Sequence, residues 1–205
     1  MAVITYFGHS CFAVTAASGW RAVFDPYQDG SVPGLKLPHI AADAAYASHE
    51  HGDHNALNLI AIEPAHEMPY RLETLLTDHD DKGGSLRGKN RIHILAGNGE
   101  KIAHFGDLGR DLTPEEIAAL MDADAVMIPC GGYYTIDARQ AKKIIDEIKP
   151  KLAVLMHYRT ATSGYDVLSA LKEVKEVFPE LNILSDHSAD TAKVQGIIAL
   201  TPLQG

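Results

Sequence analysis

The amino-acid sequence predicts an α/β layered sandwich, with sheets covered by helices, and three observations predict it. Strand-like segments follow one another through the first half, strands alternate with helical segments through the second, and the candidate functional residues fall where strands end. The chain opens as a meander: Val3 to Phe7, Cys11 to Thr15, a turn over Ala17, Ser18 and Gly19, then Trp20 to Phe24 ending at Asp25-Pro26. Residues 27 to 42, with Gly30, Pro33, Gly34 and Pro38 among them, read as a loop, followed by a short apolar strand from Ala44 to Ala47. The stretch around Pro64 and Pro69 has no clear pattern. Leu72 to Thr77 and Arg91 to Leu95 read as strands, and Asn98-Gly99 turns the chain back into Lys101 to Phe105 as a hairpin.

In the second half, Thr113-Pro114-Glu115-Glu116 forms a capping box with proline at the first helical position, which predicts a helix to about Met121. Ala125 to Pro129 reads as a buried strand. Asp137 to Lys149 places Ala141, Ile144, Ile145 and Ile148 at helical spacing, and Pro150 ends that helix. Leu152 to Met156 is a further strand, a helix is expected from about Tyr165 to Phe178, and strands near Ile183 and Ile197 close the chain. No linker, short-period repeat or low-complexity segment interrupts this order.

At 205 residues and 46% hydrophobic content the chain can enclose a core of ordinary size, so one domain spanning residues 1–205 is expected. The net charge of −9, from 27 acidic and 18 basic residues, supplies no basic surface to follow a phosphate backbone, and nucleic-acid binding is not expected. No apolar run approaches the ~20 residues that a membrane-spanning helix needs. Cys11 and Cys130 are far apart and form no CxxC pair, and the N-terminus lacks the pattern of a signal peptide, so a reducing, cytoplasmic setting is expected.

The sharpest chemical signal is Ser48-His49-Glu50-His51-Gly52-Asp53-His54, an HxHxDH pattern after a short apolar strand. Residues two apart on extended backbone face the same side, so His49 and His51 can grip one ion while Asp53 and His54 face a second. Such sites need more ligands than one loop can give, and His79-Asp80, Gly106-Asp107 and His157 each follow a strand end. Any one of them alone reads as a solvated loop residue; together with HxHxDH they read as one site. Cys11 and Cys130 read as small buried residues. His39, His66, His93, His104 and His187 have no spacing argument and read as surface or packing residues. Asp25 reads equally as a turn-former before proline or as a carboxylate that orients a ligating histidine. His9 reads as a pocket residue or as a satisfied histidine in a turn. Gly131-Gly132-Tyr133-Tyr134 and Tyr158-Arg159 suit substrate contacts, but packing or turn formation is the plainer reading.

These stretches resemble the metallo-β-lactamase superfamily, and more narrowly the uncharacterised zinc-dependent hydrolases related to ascorbate-phosphate lactonases. The matching segments are GHSCF at 8–12, FDP at 24–26, SHEHGDH at 48–54, HDDKGGSLRGKN at 79–90, HFGDLG at 104–109, IPCGGYYTIDA at 128–138 and MHY at 156–158. The resemblance implies a four-layer αββα sandwich and two divalent metal ions. It places His49, His51 and His79 on one ion, Asp53, His54 and His157 on the other, and Asp107 between them. His51 stands where the di-iron branch carries glutamate, which favours Zn2+, with Mn2+ as the alternative. The expected chemistry is a metal-activated hydroxide attacking a small ester, lactone, amide or phosphoester, with Asp53 orienting it and moving its proton. A phosphodiesterase or nuclease, and a non-catalytic metal-binding protein, are the alternatives. The expected partner is a small-molecule substrate, and assembly of identical chains is left open.

Overall fold

A computed structural model describes residues 1–205. The first strands are β1 (Val3–Gly8), β2 (Cys11–Thr15), β3 (Arg21–Phe24), β4 (Ile40–Ala42) and β5 (Ala44–Tyr46). A 3-10 turn at Leu57–Leu59 leads into β6 (Ile60–Ile62), then β7 (Arg71–Asp78), β8 (Lys89–Gly97) and β9 (Glu100–His104). Helices enter only now: α1 (Pro114–Leu120), β10 (Ala125–Pro129), α2 (Ala138–Ile148), β11 (Leu152–Met156) and α3 (Leu171–Val177). The chain closes with β12 (Asn182–Ile183), β13 (Ser188–Asp190) and β14 (Gly196–Ala199).

The strands form a five-stranded sheet ordered β13-β1-β2-β3-β5, a seven-stranded sheet ordered β12-β14-β11-β10-β9-β8-β7, and a two-stranded pair β4-β6. Strands β10 and β11 pair in parallel at the middle of the larger sheet, and every residue of both is buried. Burial on both faces is why they read as unbroken apolar runs rather than as alternation. In the smaller sheet the pleat sorts side chains by face. Ile4, Tyr6, Phe12, Val14, Ala22 and Phe24 enter a cluster of 43 buried residues that joins the two sheets and continues to the helices. Phe7, Cys11, Ala13 and Val23 enter a separate cluster of 11 with Tyr27, Val32, Leu35, Leu37, Ile40, Ala42 and Ile60. The expected α/β sandwich is therefore present, with two sheets packed over a shared core that continues to the helices. The outer face of its smaller sheet is covered here by the 27–42 segment and β4-β6.

Helix α2 shows how local sequence sets an element. Asp137 accepts hydrogen bonds from Arg139 N and Gln140 N at 2.9 Å each, satisfying donors that a helix start leaves free. Replacing such a cap by alanine costs ~1 kcal/mol. Ala141, Ile144, Ile145 and Ile148 are buried, and Lys149 takes left-handed backbone before Pro150. The capping box at α1 also forms, with Thr113 Oγ1 accepting from Glu116 N and Glu116 accepting from Thr113 N.

Four local expectations change. Strands β4 and β6, three residues each, lie in stretches read as loop or unpatterned, and β13 lies where no strand was read. Such short segments carry too few residues to show alternation. Helix α3 starts at Leu171, not near Tyr165, because the preceding backbone bonds elsewhere: Ser169 N donates to Gly131 O and Leu171 N to Arg159 O. No helix is long and apolar enough to cross a membrane.

Candidate metal centre

The candidate ligands come together at the ends of strands from both sheets. His9 lies in the β1–β2 turn, Asp25 follows β3, residues 49–54 follow β5, His79 follows β7, Asp107 follows β9 and His157 follows β11. His9, Asp25 and His157 have φ of 55°, 49° and 57°, so three of the chain's seven left-handed non-glycine residues belong to this site. Each costs roughly 1–3 kcal/mol and persists only where surrounding structure imposes it.

His49, His51 and His79 offer ligand atoms within 4.8 Å of one another, as do His9, His54 and His157. Asp107 stands between the two groups. Its Oδ2 is 3.4 Å from His79 Nε2 and 3.2 Å from both His54 Nε2 and His157 Nε2. Gly106, at φ 55°, makes that placement possible, since a Cβ there would come within 2.3 Å of Ser48 Cβ. Asn90 fixes the turn by accepting from Asp107 N at 2.9 Å and donating to Phe105 O. Asp53 lies at the edge, with Oδ2 3.3 Å from His9 Nε2, 3.8 Å from His54 Nε2 and 3.2 Å from Tyr165 Oη.

Asp25 is buried and orients both groups. Its Oδ2 is 2.9 Å from His54 Nδ1 and accepts from Ser48 Oγ at 2.6 Å, and Ser48 Oγ is 2.9 Å from His49 Nδ1. With the serine proton committed to Asp25, His49 Nδ1 carries hydrogen and donates to Ser48. His49 thus turns an Nε2 lone pair inward, as a ligating imidazole requires, and the bond from His54 Nδ1 to Asp25 aims His54 Nε2 at the centre. Of Asp25's two open readings, the geometry supports orientation.

The charges are set by this enclosure. Burial raises the Asp25 carboxyl, but His104 and His54 outweigh it and hold it at about 2. Burial, reinforced by His54, pushes His49 down to about 3, and burial with His157 pushes His9 down to about 4. Those rings stay neutral and able to donate a lone pair. Burial also raises Asp107, yet the charges of His157 and His54 hold it well below the usual carboxylate range.

Nine buried side-chain polar atoms lack a hydrogen-bond partner. Seven of them belong to His9, His49, His54, His79, Asp107 and His157. Orphaned atoms are costly unless something else binds them. Their concentration at one spot, on imidazole nitrogens and a carboxylate, fits a divalent cation of the zinc or manganese type.

A cavity of about 260 Å³ opens onto this cluster, lined by His51, Asp53, His79, Arg87, Asp107, Tyr134 and Tyr165. A second cavity, about 300 Å³, lies beside Tyr158 and the C-terminal segment and contains none of the candidate ligands.

Residues 3–157 match the family pattern described as a beta-lactamase superfamily domain. The chain belongs to the beta-lactamase superfamily. Its relatives include a protein named a metal-dependent hydrolase from Staphylothermus marinus, 29% identical over 79% of this chain and 86% of the relative. Another of that name, from Thermoplasma acidophilum, is 26% identical over 77% of this chain and 83% of its own. Among solved structures, a proposed zinc-dependent hydrolase of the metallo-β-lactamase superfamily from Thermotoga maritima superposes with a TM-score of 0.74. It is 26% identical and covers 98% of both chains.

For this superfamily member, the structure gathers every sequence-predicted ligand: His49, His51, Asp53, His54, His79, Asp107 and His157. Asp80 turns away into its own loop, where its carboxylate accepts from four backbone N–H groups. His9 joins the centre, and GHSCF was the signal that carried it. Tyr165 was placed in a helix by its spacing and instead reaches Asp53. Of the aromatic candidates, Tyr134 lines the cavity, Tyr133 is exposed, and Tyr158 is buried with its hydroxyl near Leu200 O. Arg159 Nε donates to Leu168 O and braces the loop. His93 and His104 are packing residues, donating towards Ala47 O and Ser10 O.

Proposed function

We propose that this metal-dependent hydrolase works with two divalent cations, zinc before manganese, on a small ester, lactone, amide or phosphoester. His49, His51 and His79 would hold one ion, Asp53, His54 and His157 the other, with Asp107 shared between them. The observation that supports this reading is the position of Asp107 Oδ2, within 3.4 Å of ring nitrogens from both groups. When bound, the cations supply a Lewis acid that polarises the scissile group and makes water acidic enough to attack near neutral pH. Asp53 orients the attacking water and moves its proton. Its Oδ2 is set by His9 on one side and Tyr165 on the other. Asp25 and Ser48 keep the histidines in the ligating tautomer, and no serine or cysteine nucleophile is needed. Cys11 and Cys130 are buried and unpaired, in keeping with a reducing compartment. A net charge of −9 argues against nucleic acid as substrate.

The test is elemental analysis of the zinc-loaded protein with parallel activity screening against lactones, esters and phosphodiesters. Close to two ions per chain and turnover on at least one small substrate class are expected. A protein that retains no metal after incubation with zinc or manganese sinks the reading, and tight, salt-sensitive binding to structured RNA would put the nuclease first.

A further inference from the structure

Arg87 is the one lysine or arginine lining the cavity above the metal centre, and nothing in the protein neutralises it. Its guanidinium has no carboxylate within 4.0 Å and no hydrogen-bond acceptor, in a chain where acidic residues outnumber basic ones by 27 to 18. Neighbouring cations are handled differently. Lys82 pairs with Asp81, Lys89 with Asp78, and Arg110 with both Asp78 and Glu116. Arg87 is half-buried and faces the cavity without a carboxylate partner, whereas Lys82, Lys89 and Arg110 beside it are paired, so its charge is available to an anion from outside.

The side chain is also pre-positioned. The loop from residue 80 to 87 is wound around Asp80, whose Oδ2 accepts from Leu86 N at 3.0 Å and Arg87 N at 2.8 Å. The guanidinium carbon lies 5.5 Å from the centroid of the Tyr134 ring. Cation–π contact uses the flat face and leaves the in-plane N–H donors free. Those donors form a fork that matches a carboxylate or a phosphate.

We propose that Arg87, braced by Tyr134, is a specificity-determining residue that binds an oxyanionic group of the substrate, a carboxylate or phosphate, at a distance from the scissile bond. The inference rests on the hydrolase reading and deepens it: the substrate is a compact anion with two ends. One end would face the metal centre at His51 and His79, and the other meets Arg87, all within a cavity of about 260 Å³.

The test is calorimetric binding to the zinc-loaded full chain, which needs no turnover and so fails independently of the hydrolase assignment. Glutarate, with two carboxylates, is compared with butyrate, with one, and 3-phosphonopropionate distinguishes phosphate-type from carboxylate-type recognition at the second group. Wild-type protein is expected to prefer a two-ended ligand over butyrate by ~10-fold, the scale of one charge-assisted contact. Arg87→Ala should bring that ratio to within about twofold, and Arg87→Lys, which keeps charge without the fork, should fall between. Circular dichroism checks folding, and the lysine variant carries the test if the alanine variant does not fold. A wild type without the preference, or a preference undiminished in the folded variant, overturns the proposal.

Discussion

The two histidine groups of the candidate metal centre are built by different means. His49, His51 and His79 come from one loop and one strand end, with ordinary backbone, and His51 is exposed at the cavity wall. His9, His54 and His157 are wholly buried and come from three turns spread over most of the chain, two of them left-handed. The first half is a local sequence feature presented to solvent. The second is a product of the finished fold, and it exists only where both sheets meet. Exposure and backbone strain, more than ligand identity, therefore set what each half demands of the protein.

The largest effect is expected where the halves join. Asp107→Asn keeps the shape of the turn but removes the charge shared by His54, His79 and His157. Hydrolysis should fall by ~10²–10³-fold, the scale of losing one electrostatic stabiliser in an active site, and metal content should drop towards one ion. Wild-type metal stoichiometry and rate, with unchanged circular dichroism, would reduce Asp107 to a turn residue.

Asp25→Asn tests whether the two halves share a brace. Asp25 reaches His54 directly and His49 through Ser48, so both ions should lose roughly 10- to 100-fold in affinity. Competition with a chelator measures this, and loss from one ion alone would separate the halves.

The contrast in backbone strain sharpens with His157→Ala against His51→Ala in the metal-free protein. His157 is 0% exposed with φ 57°, so alanine leaves a void and keeps the strained conformation; a loss of about 2 kcal/mol in urea unfolding is expected. His51→Ala should stay within about 0.5 kcal/mol. His157→Gly should recover part of the loss, because glycine accepts that backbone.

The smallest effect concerns pH. Burial lowers His9 to about 4 and His49 to about 3, and also lowers His79, His93 and His104. Unfolded, these rings take up protons near their ordinary value of 6.5, so between 6.5 and about 4 the unfolded state binds more protons. Chelator-stripped protein should lose stability as pH falls through that window. For His54, burial lowers the ring but Asp107 raises it further, so its contribution is already present throughout the window. Urea midpoints at several pH values decide the sign, and a flat profile would mean that solvent already reaches the second half.

Legibility follows the same division. HxHxDH, GD and the strand-end His157 could be read because each is a short motif placed by an adjacent strand. The role of His9 could not be read from spacing, since its proximity to His157 depends on two sheets meeting, through the bond from His157 N to His9 O. Tyr165 was misread because residues 165–178 have helical spacing that tertiary bonds at Ser169 and Leu171 override. The sandwich itself was legible from strand runs and βα alternation, whereas β13 was not, because three residues at a sheet edge carry no periodic signal.

That edge strand has a consequence for the order of assembly. Val3, Ile4 and Thr5 pair with Asp190, Ala189 and Ser188, so nearly the whole chain separates the partners. Thr191 N then donates to Ala2 O, while Ala2 N reaches Glu100. The smaller sheet can gain this edge only after the last part of the chain has left the ribosome, and closing so long a loop is slow. The turn that presents His9 is the far end of that same β1, so the strand that carries His9 receives its last partner from a segment close to the other end of the sequence.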